Sequence, residues 1–149
     1  MRAVLALALL GAVAPQFSYA EDTRHLVLVA SVESEFRALS AEDVRRLYLG
    51  APLPKGDQPL QPLLNATDPL LEEVFLQKVI FLSSQAYRQR WLSRTFRAGV
   101  PQPADYESES ALVQAVASSK FAVTFMWERD LANQPRLRKV LELWSGNVK

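Results

Sequence analysis

The segment from Ser40 to Gly50 constrains the fold of this chain more than any other stretch. Ser40 is a favoured helix N-cap, and the carboxylate of Asp43 can accept a hydrogen bond from the backbone N–H of the cap, as in a shortened capping box. Gly50 can adopt the left-handed conformation that closes a helix. Apolar residues follow helical spacing between these ends: Val44, Leu47 and Tyr48. The segment therefore predicts a short helix with a defined start and end that buries one stripe in a core.

Residues 1–20 have the parts of a secretory signal peptide. Met1–Arg2 is a basic start, Ala3–Ala14 is an apolar run, and Ser18–Ala20 matches a small-x-small cleavage site. A retained membrane anchor is the alternative, but the apolar run is shorter than the roughly 20 residues that a membrane-spanning helix needs. We therefore predict cleavage after Ala20, a periplasmic location, and one domain over residues 21–149 that is not embedded in a membrane.

Residues 21–149 are close to electrically neutral. The whole chain has 17 basic and 16 acidic side chains, and removal of Arg2 with the signal leaves equal numbers. This balance argues against a general binder of nucleic acids or anionic membranes, and we predict no nucleic-acid partner. There is no cysteine, which excludes disulfides, thiolate metal sites, a cysteine nucleophile and a lipoprotein anchor on cysteine.

Strand and helix signals alternate along the chain. Apolar runs predict strands at His25–Ala30, Leu60–Leu64 and Phe121–Met126, and Pro62 favours an edge or end position for the second. Cap residues predict further helices that begin at Asp68 with Pro69, at Ser83 or Ser84, and at Ser108. Val140–Trp144 could be a terminal strand or the end of a helix that starts near Pro135. The pattern predicts an α/β fold with some parallel pairing.

Signatures of catalysis and metal binding are absent from the sequence. The only histidine, His25, stands at the head of the first predicted strand, and no metalloprotease, serine-hydrolase, Walker or dinucleotide motif occurs. The acidic pairs Glu72–Glu73 and Glu107 with Glu109 lie at predicted helix starts, where they complement the helix dipole. We therefore predict that the protein is not an enzyme and has no catalytic residue, metal site or cofactor.

The stretch from Val74 to Ala104 contains no acidic residue. Its basic residues are Lys78, Arg88, Arg90, Arg94 and Arg97. At helical spacing Arg90, Arg94 and Arg97 share one face, which we interpret as a solvated cationic face. We expect an apolar arc on the opposite side of this helix, consisting of Tyr87, Trp91, Leu92 and Phe96.

Arg88 projects into that aromatic arc, unlike the other arginines of the helix. One interpretation is that its aliphatic stem passes Trp91 and Leu92 toward solvent. The other is that a buried carboxylate or a bound anion holds its guanidinium group.

Helix N-termini are the other candidate anion receptors, because their backbone N–H groups and a cap hydroxyl can bind an oxyanion without a metal. The candidate starts are Thr67–Asp68, Ser83–Ser84 and Ser108–Ser110. The charge of Asp68 disfavours a bare anion, but a protonated phosphate oxygen can donate a hydrogen bond to a carboxylate.

Read in order, these features resemble periplasmic phosphate-binding proteins, the substrate-binding components of phosphate ABC transporters. The matching features are the first strand, Leu39–Gly50, Leu60–Leu64, the helix with Phe75, the series Tyr87, Trp91, Phe96 and Gly99, the Pro101–Pro103 connector, and the Ser108 helix leading into a strand. The resemblance implies a periplasmic-binding-protein-like fold of type 2, as a single lobe with a mixed sheet flanked by helices.

The resemblance also implies a site for a small oxyanion such as phosphate. Family members carry an Arg-x-Asp-Gly-Ser-Gly-Thr loop before the helix that corresponds to the one with Phe75, and this chain has Asn65–Leu71 in its place. The polar residues that remain there are Asn65, Thr67 and Asp68, so we expect these to bind the ligand with help from Ser31 and Arg88.

These features lead to two hypotheses for function. In the first, the protein is the exported phosphate- or oxyanion-binding component of an ABC transport system. In the second, it is a degenerate binding-protein lobe that acts as a protein-interaction or sensory module in the cell envelope. Its partner would be a membrane transporter in the first case and another envelope protein in the second.

Overall fold

The computed structural model describes residues 22–53 and 59–148, together with Pro15. Its strands are β1 Thr23–Ser31, β2 Gln61–Pro62, β3 Leu64–Asn65, β4 Asp105–Tyr106, β5 Ala122–Trp127 and β6 Leu137–Asn147. The four-stranded sheet has the order β2-β5-β1-β6, in which β5 and β6 run antiparallel to β1 while β2 runs parallel to β5. β3 and β4 form a separate parallel pair. The predicted mixed α/β fold is confirmed.

Two details of the sheet answer questions that the sequence left open. Val140–Trp144 lies within β6, so the C-terminal segment is a strand and not the end of a helix. β2 lies at the edge of the sheet. Pro62 has no backbone N–H to donate, and at an edge this disturbs the hydrogen bonds between strands less than it would in a central strand.

β1 is buried on both faces, which explains its unbroken apolar sequence. Leu26, Leu28 and Ala30 point into the larger core on one side of the sheet. Val27 and Val29 point into the smaller core on the other side. The sheet is therefore covered on both faces.

The described residues form five α-helices beside the sheet: α1 Ala41–Tyr48, α2 Pro69–Phe75, α3 Ser84–Ala98, α4 Glu109–Ala117 and α5 Glu128–Leu131. A π-helical turn, Leu76–Ile80, continues α2. Residues of α1, α2 and α3 pack in the larger core, whereas α4 packs in the smaller one.

The predicted caps are all in place. The side chains of Ser40, Asp68, Ser83 and Ser108 each accept a hydrogen bond from a backbone N–H in the first turn of their helix. Asp43 completes the capping box of α1 by accepting a bond from the Ser40 N–H at 3.0 Å. These bonds depend on neighbours in the sequence, so they could be predicted from local pattern alone.

The C-terminal end of α1 is held by side chains of α3. Tyr87 Oη and Trp91 Nε1 both donate to the carbonyl oxygen of Tyr48, at 2.8 and 3.1 Å. Arg94 donates to the carbonyl oxygen of Gly50 at 2.5 Å. These bonds satisfy carbonyl groups that have no partner within α1, and Arg94 places a positive charge at the negative end of the helix dipole.

The predicted faces of α3 are therefore partly wrong. Arg94 is half-buried against the end of α1 and does not belong to a solvated face. Leu92 and Phe96 are 70% and 92% exposed, so they do not share the buried arc of Tyr87 and Trp91. The reason is that Trp91 and Arg94 both donate to carbonyl oxygens at the C-terminal end of α1 or just after it. These hydrogen bonds place Arg94 on the packed side of α3.

An aromatic cluster joins α1, α2 and β5. Phe75 and Phe125 stack with ring centroids 3.7 Å apart, and Tyr48 meets Phe75 edge-on at 4.8 Å. Tyr48 Oη donates to the Leu63 carbonyl oxygen at 2.9 Å. Burial raises the pKa of Tyr48 well above its ordinary value, so its hydroxyl stays a neutral donor.

We expect Asp43→Asn to destabilise the protein by about 1 kcal/mol at neutral pH, because it weakens the capping box. Hydrogen bonds from Arg37 and Ser40 lower the pKa of Asp43 to about 2. A carboxyl whose pKa is lowered by folding contributes stability that is present above its unfolded pKa, near pH 4, and is lost as the pH falls toward about 2.

Urea denaturation at a series of pH values tests this prediction. Asp43→Asn should flatten the decrease in stability between about pH 4 and pH 2, whereas the control Asp130→Asn on α5 should keep it. An unchanged acid decrease in Asp43→Asn would contradict the assignment.

Within the described residues, no helix is both long and apolar enough to cross a membrane. The predicted signal peptide lies outside them except for Pro15. Cleavage after Ala20 and the domain boundaries 21–149 stay predictions.

Candidate functional site

Three of the predicted ligand-binding residues lie at the end of β3 and in the turn that follows it, and two of them, Asn65 and Thr67, are hydrogen-bonded to each other. Asn65 is 3% exposed, and its Nδ2 donates to the carbonyl oxygen of Phe125 in β5 at 2.8 Å. Its Oδ1 accepts hydrogen bonds from the backbone N–H of Thr67 at 3.1 Å and from Thr67 Oγ1 at 2.6 Å. The side chain of Asn65 therefore connects the turn to β5 and stabilises the conformation of the turn.

Asp68 connects this turn to the end of β5. One carboxylate oxygen accepts a hydrogen bond from the backbone N–H of Leu70 at 2.9 Å, which caps α2. The other accepts a hydrogen bond from Trp127 Nε1 at 3.1 Å. Both oxygens of Asp68 thus have a partner, and the indole of Trp127 is oriented by it.

Trp127 also lines a small recess of about 300 Å³ at the start of β1. The other lining residues are Asp22, Thr23, Arg24, His25, Glu128 and Arg129. The guanidinium group of Arg24 lies over the indole ring, 5.4 Å from its centroid. Within the described part of the chain, Arg24 forms no ion pair with a carboxylate.

The turn and the recess both contact Trp127, through Asp68 and Arg24 respectively, although no residue of the turn lines the recess. The guanidinium group of Arg24 can donate two hydrogen bonds to one anion, and no carboxylate among the described residues pairs with its positive charge. Thr23 offers a hydroxyl group. Asp68 is the one acidic group of the turn, and it can accept a hydrogen bond from a protonated oxyanion. The recess has the size to receive a small oxyanion, and Arg24 is the group that would attract it, although the carboxylates of Asp22 and Glu128 also line the recess.

Ser31 is not brought to this site. Its hydroxyl donates to the Ala117 carbonyl oxygen at 3.3 Å and accepts a hydrogen bond from the Glu33 backbone N–H at 3.2 Å. Phe125, the partner of Asn65, pairs with Leu28 of β1, so Ser31 lies roughly 10 Å further along the sheet. Ser31 and the turn do not converge, and a ligand role for Ser31 stays an untested prediction.

Arg88 is also separate from the turn. Its guanidinium group pairs with Glu72 of α2 at 3.5 Å, and its side chain is 64% exposed while that of Glu72 is 14% exposed. Of the two interpretations made from the sequence, this pairing matches a guanidinium held by a buried carboxylate. Binding of an anion by Arg88 stays a prediction that this geometry does not support.

One cluster has the residue types of a metal site. Ligand atoms of His25, Glu128 and Glu142 lie within 4.8 Å of one another. The ammonium group of Lys139, however, lies 2.7 Å from Glu128 and 3.7 Å from Glu142. Because a lysine already supplies the positive charge between the carboxylates, we assign no metal to this cluster.

Sequence reasoning missed Arg24 and Trp127. Arg24 stands beside His25 at the start of an apolar strand, and Trp127 ends another strand. Neither position matches a motif. They lie together because β1 and β5 pair antiparallel, which places the start of one beside the end of the other.

Two solved structures of phosphate-binding proteins are similar to this chain. One is a possible phosphate-binding protein from Planctomyces limnophilus, with a TM-score of 0.54 and 17% identity over 79% of this chain and 41% of that one. The other is PstS from Borrelia burgdorferi, with a TM-score of 0.54 and 12% identity over 79% of this chain and 47% of that one.

At this level of identity the likeness establishes the fold, and the predicted phosphate-binding-protein-like fold is confirmed. The chain spans less than half the length of either solved structure. No protein-family model matches the sequence, and no curated protein matches it.

Proposed function

We propose that the protein is an exported solute-binding-like protein that takes a phosphate-like oxyanion at the Asn65–Asp68 turn and the adjoining recess. One observation carries the proposal: Arg24, which has no carboxylate partner among the described residues, lies over Trp127, the same side chain that donates to Asp68. The phosphate-binding-protein-like fold supports it. On this proposal the protein works in the periplasm as part of an ABC transport system, without catalysis.

The hydrogen bonds within the Asn65–Asp68 turn predict that an oxyanion binds weakly. The Thr67 hydroxyl already donates to Asn65, and both carboxylate oxygens of Asp68 are occupied. An oxyanion must compete for these groups, and the glycine-rich loop that would offer free backbone N–H groups is missing. We therefore expect affinity in the millimolar range, with Arg24 as the main source of attraction.

The indole N–H resonances offer a local test, because the chain has three tryptophans in different places. Titration with phosphate should shift the Trp127 resonance, whose N–H donates to Asp68. Trp91, which donates to Tyr48, should serve as an internal control and stay in place. Sodium chloride at matched ionic strength controls for salt.

Arg24→Ala should abolish the phosphate-dependent shift of Trp127 while the protein stays folded, because Arg24 makes no ion pair within the described part of the chain. Arg129→Ala, at the other arginine that lines the recess, is the matched control and should retain most of the shift. An equal response in the wild type and in Arg24→Ala would count against this site, and a response to chloride alone would do the same.

A second candidate function is a protein-interaction or sensory module of the cell envelope. The specific observation in its favour is the exposure of Leu92 and Phe96 on α3. The internal hydrogen bonds of the Asn65–Asp68 turn are compatible with this function, because they serve the fold whether or not a ligand binds.

A further inference from the structure

The recess at the start of β1 is lined by groups of both charges. Its cations are Arg24 and Arg129, its carboxylates are Asp22 and Glu128, and His25 adds an imidazole. A lining carboxylate repels an anion unless a nearby cation balances it. The pairing of these groups therefore decides which kind of oxyanion the recess favours.

Three of the ionisable groups that line the recess already have a partner. The pairs, with their N···O distances, are Glu128–Lys139 at 2.7 Å, Arg129–Asp130 at 3.6 Å and His25–Glu142 at 3.2 Å. Two opposite charges this close together largely cancel each other's field at a ligand. These three groups therefore contribute little net attraction or repulsion.

Asp22 and Arg24 are different, because neither forms an ion pair within the described part of the chain. Asp22 is exposed, so a ligand can reach its carboxylate. The guanidinium group of Arg24 lies over the indole of Trp127, which holds the group in place and leaves its charge without a counter-ion. The recess thus presents one negative and one positive charge that a ligand can pair with.

The spacing of these two charges suits a ligand that has both signs of charge. Asp22 and Arg24 are two positions apart in the chain, and both line the recess. Alternate residues of an extended chain lie about 7 Å apart and point to the same side. Their side chains do not pair with each other, so a ligand with an anionic end and a cationic end can contact both.

The size of the recess also favours a ligand larger than phosphate. Its volume of about 300 Å³ is in the range that accommodates small organic molecules, and a bare phosphate ion is much smaller than these. The hydroxyl oxygen of Thr23, which lies between Asp22 and Arg24 in the chain, can accept a hydrogen bond from an ammonium group. An organic ligand with a phosphate group therefore fits the recess better than phosphate alone.

We propose that the ligand of the recess is a zwitterionic phosphate ester with an ammonium group two carbons from the ester oxygen, as in 2-aminoethyl phosphate. Its phosphate group contacts Arg24, and its ammonium group pairs with Asp22. Phosphorus and nitrogen are about 5 Å apart in the extended molecule, and a hydrogen bond of about 3 Å at each end extends its reach to both side chains. This inference rests on the oxyanion site proposed above and names its class of ligand.

Aminoethyl phosphate and propyl phosphate are a matched pair of probes, because a methyl group replaces the ammonium group in the second. Each is titrated into the full mature chain at pH 8, where both phosphate groups are dianions. The Kd is taken from the shift of the Trp127 indole N–H resonance, with Trp91 as the internal control. We expect aminoethyl phosphate to bind about fivefold more tightly. Equal affinities, or tighter binding of propyl phosphate, would overturn the proposal.

A variant of Asp22 assigns the preference to one carboxylate. Asp22→Asn should make the two Kd values about equal, because the amide has no charge to pair with the ammonium group. Asp105→Asn makes the same change at a residue that does not line the recess, and it should keep the fivefold preference. A preference that survives Asp22→Asn would contradict the role of this carboxylate and overturn the proposal.

The same chemistry occurs in a free ester and in the headgroup of phosphatidylethanolamine, and co-sedimentation with vesicles separates the two sources. Binding to phosphatidylethanolamine vesicles, without binding to phosphatidylcholine vesicles, would support the proposal with the lipid headgroup as ligand. A response to aminoethyl phosphate without vesicle binding would support it with a free ester as ligand.

The titrations also tell failure of this proposal from failure of the oxyanion site. Equal Kd values for the two probes in the wild type, with loss of both responses in Arg24→Ala, would overturn the zwitterionic ligand and leave the oxyanion site in place. No shift of Trp127 with either probe would overturn both.

Discussion

Replacing Gly50 with alanine is expected to destabilise the protein by about 2–4 kcal/mol. Gly50 has a backbone φ of +69°, in the left-handed region that residues with a Cβ adopt at a cost. A Cβ atom at this position would lie 2.6 Å from Trp91 Cη2. The indole cannot move away easily, because it is buried and its Nε1 donates to the Tyr48 carbonyl oxygen.

Gly99→Ala is the matched control for Gly50→Ala. Gly99 has nearly the same backbone φ, +68°, but nothing lies within 4 Å of a Cβ built there. Its substitution should therefore cost only the backbone strain, about 1 kcal/mol. Urea denaturation of both variants measures the difference. Equal losses in the two variants would contradict the close contact between Gly50 and Trp91.

Asn65→Ala is expected to destabilise the protein by about 2–4 kcal/mol. The substitution removes the bond from Asn65 Nδ2 to the Phe125 carbonyl oxygen and the acceptor used by the N–H and hydroxyl groups of Thr67. Because Asn65 is 3% exposed, water cannot easily replace these partners. Such a loss would identify Asn65 as a structural residue of the turn, even though it stands in the position of a ligand loop.

Thermal and urea denaturation, compared with Asn133→Ala, test the role of Asn65. Asn133 is exposed, so its substitution should change stability by no more than about 0.5 kcal/mol. If Asn65→Ala were equally mild, the turn would not depend on Asn65 for its shape. The side chain would then be free to serve a ligand, which would strengthen its part in the proposed oxyanion site.

Features that depend on neighbouring residues could be predicted from the sequence. Ser40 with Asp43, and Asp68 with Pro69, mark helix starts because the groups that cap a helix lie within one turn of each other. Gly50 and Gly99 mark helix ends because the left-handed conformation is local to one residue. The apolar run at His25–Ala30 predicted a strand, which is β1.

The candidate site could be predicted only in part. Asn65, Thr67 and Asp68 lie together because they are nearly adjacent in the chain. Ser31 was expected beside them and lies elsewhere on the sheet. Arg24 and Trp127 were missed because their contact depends on the register between β1 and β5, and no sequence motif records that register.

The sequence by itself thus determined where α1, α2, α3 and α4 begin, because hydrogen bonds within a few residues set those limits. Together with the apolar runs of β1 and β5, these helix starts indicated the class of fold. Only the tertiary structure decided which side of α3 is buried, which of its arginines bind a carbonyl or carboxylate group and which groups surround Trp127. Those outcomes depend on contacts between segments far apart in the chain. At the end of the Ser40–Gly50 segment, for example, Arg94 donates to the Gly50 carbonyl oxygen, whereas Phe96 stays exposed on α3.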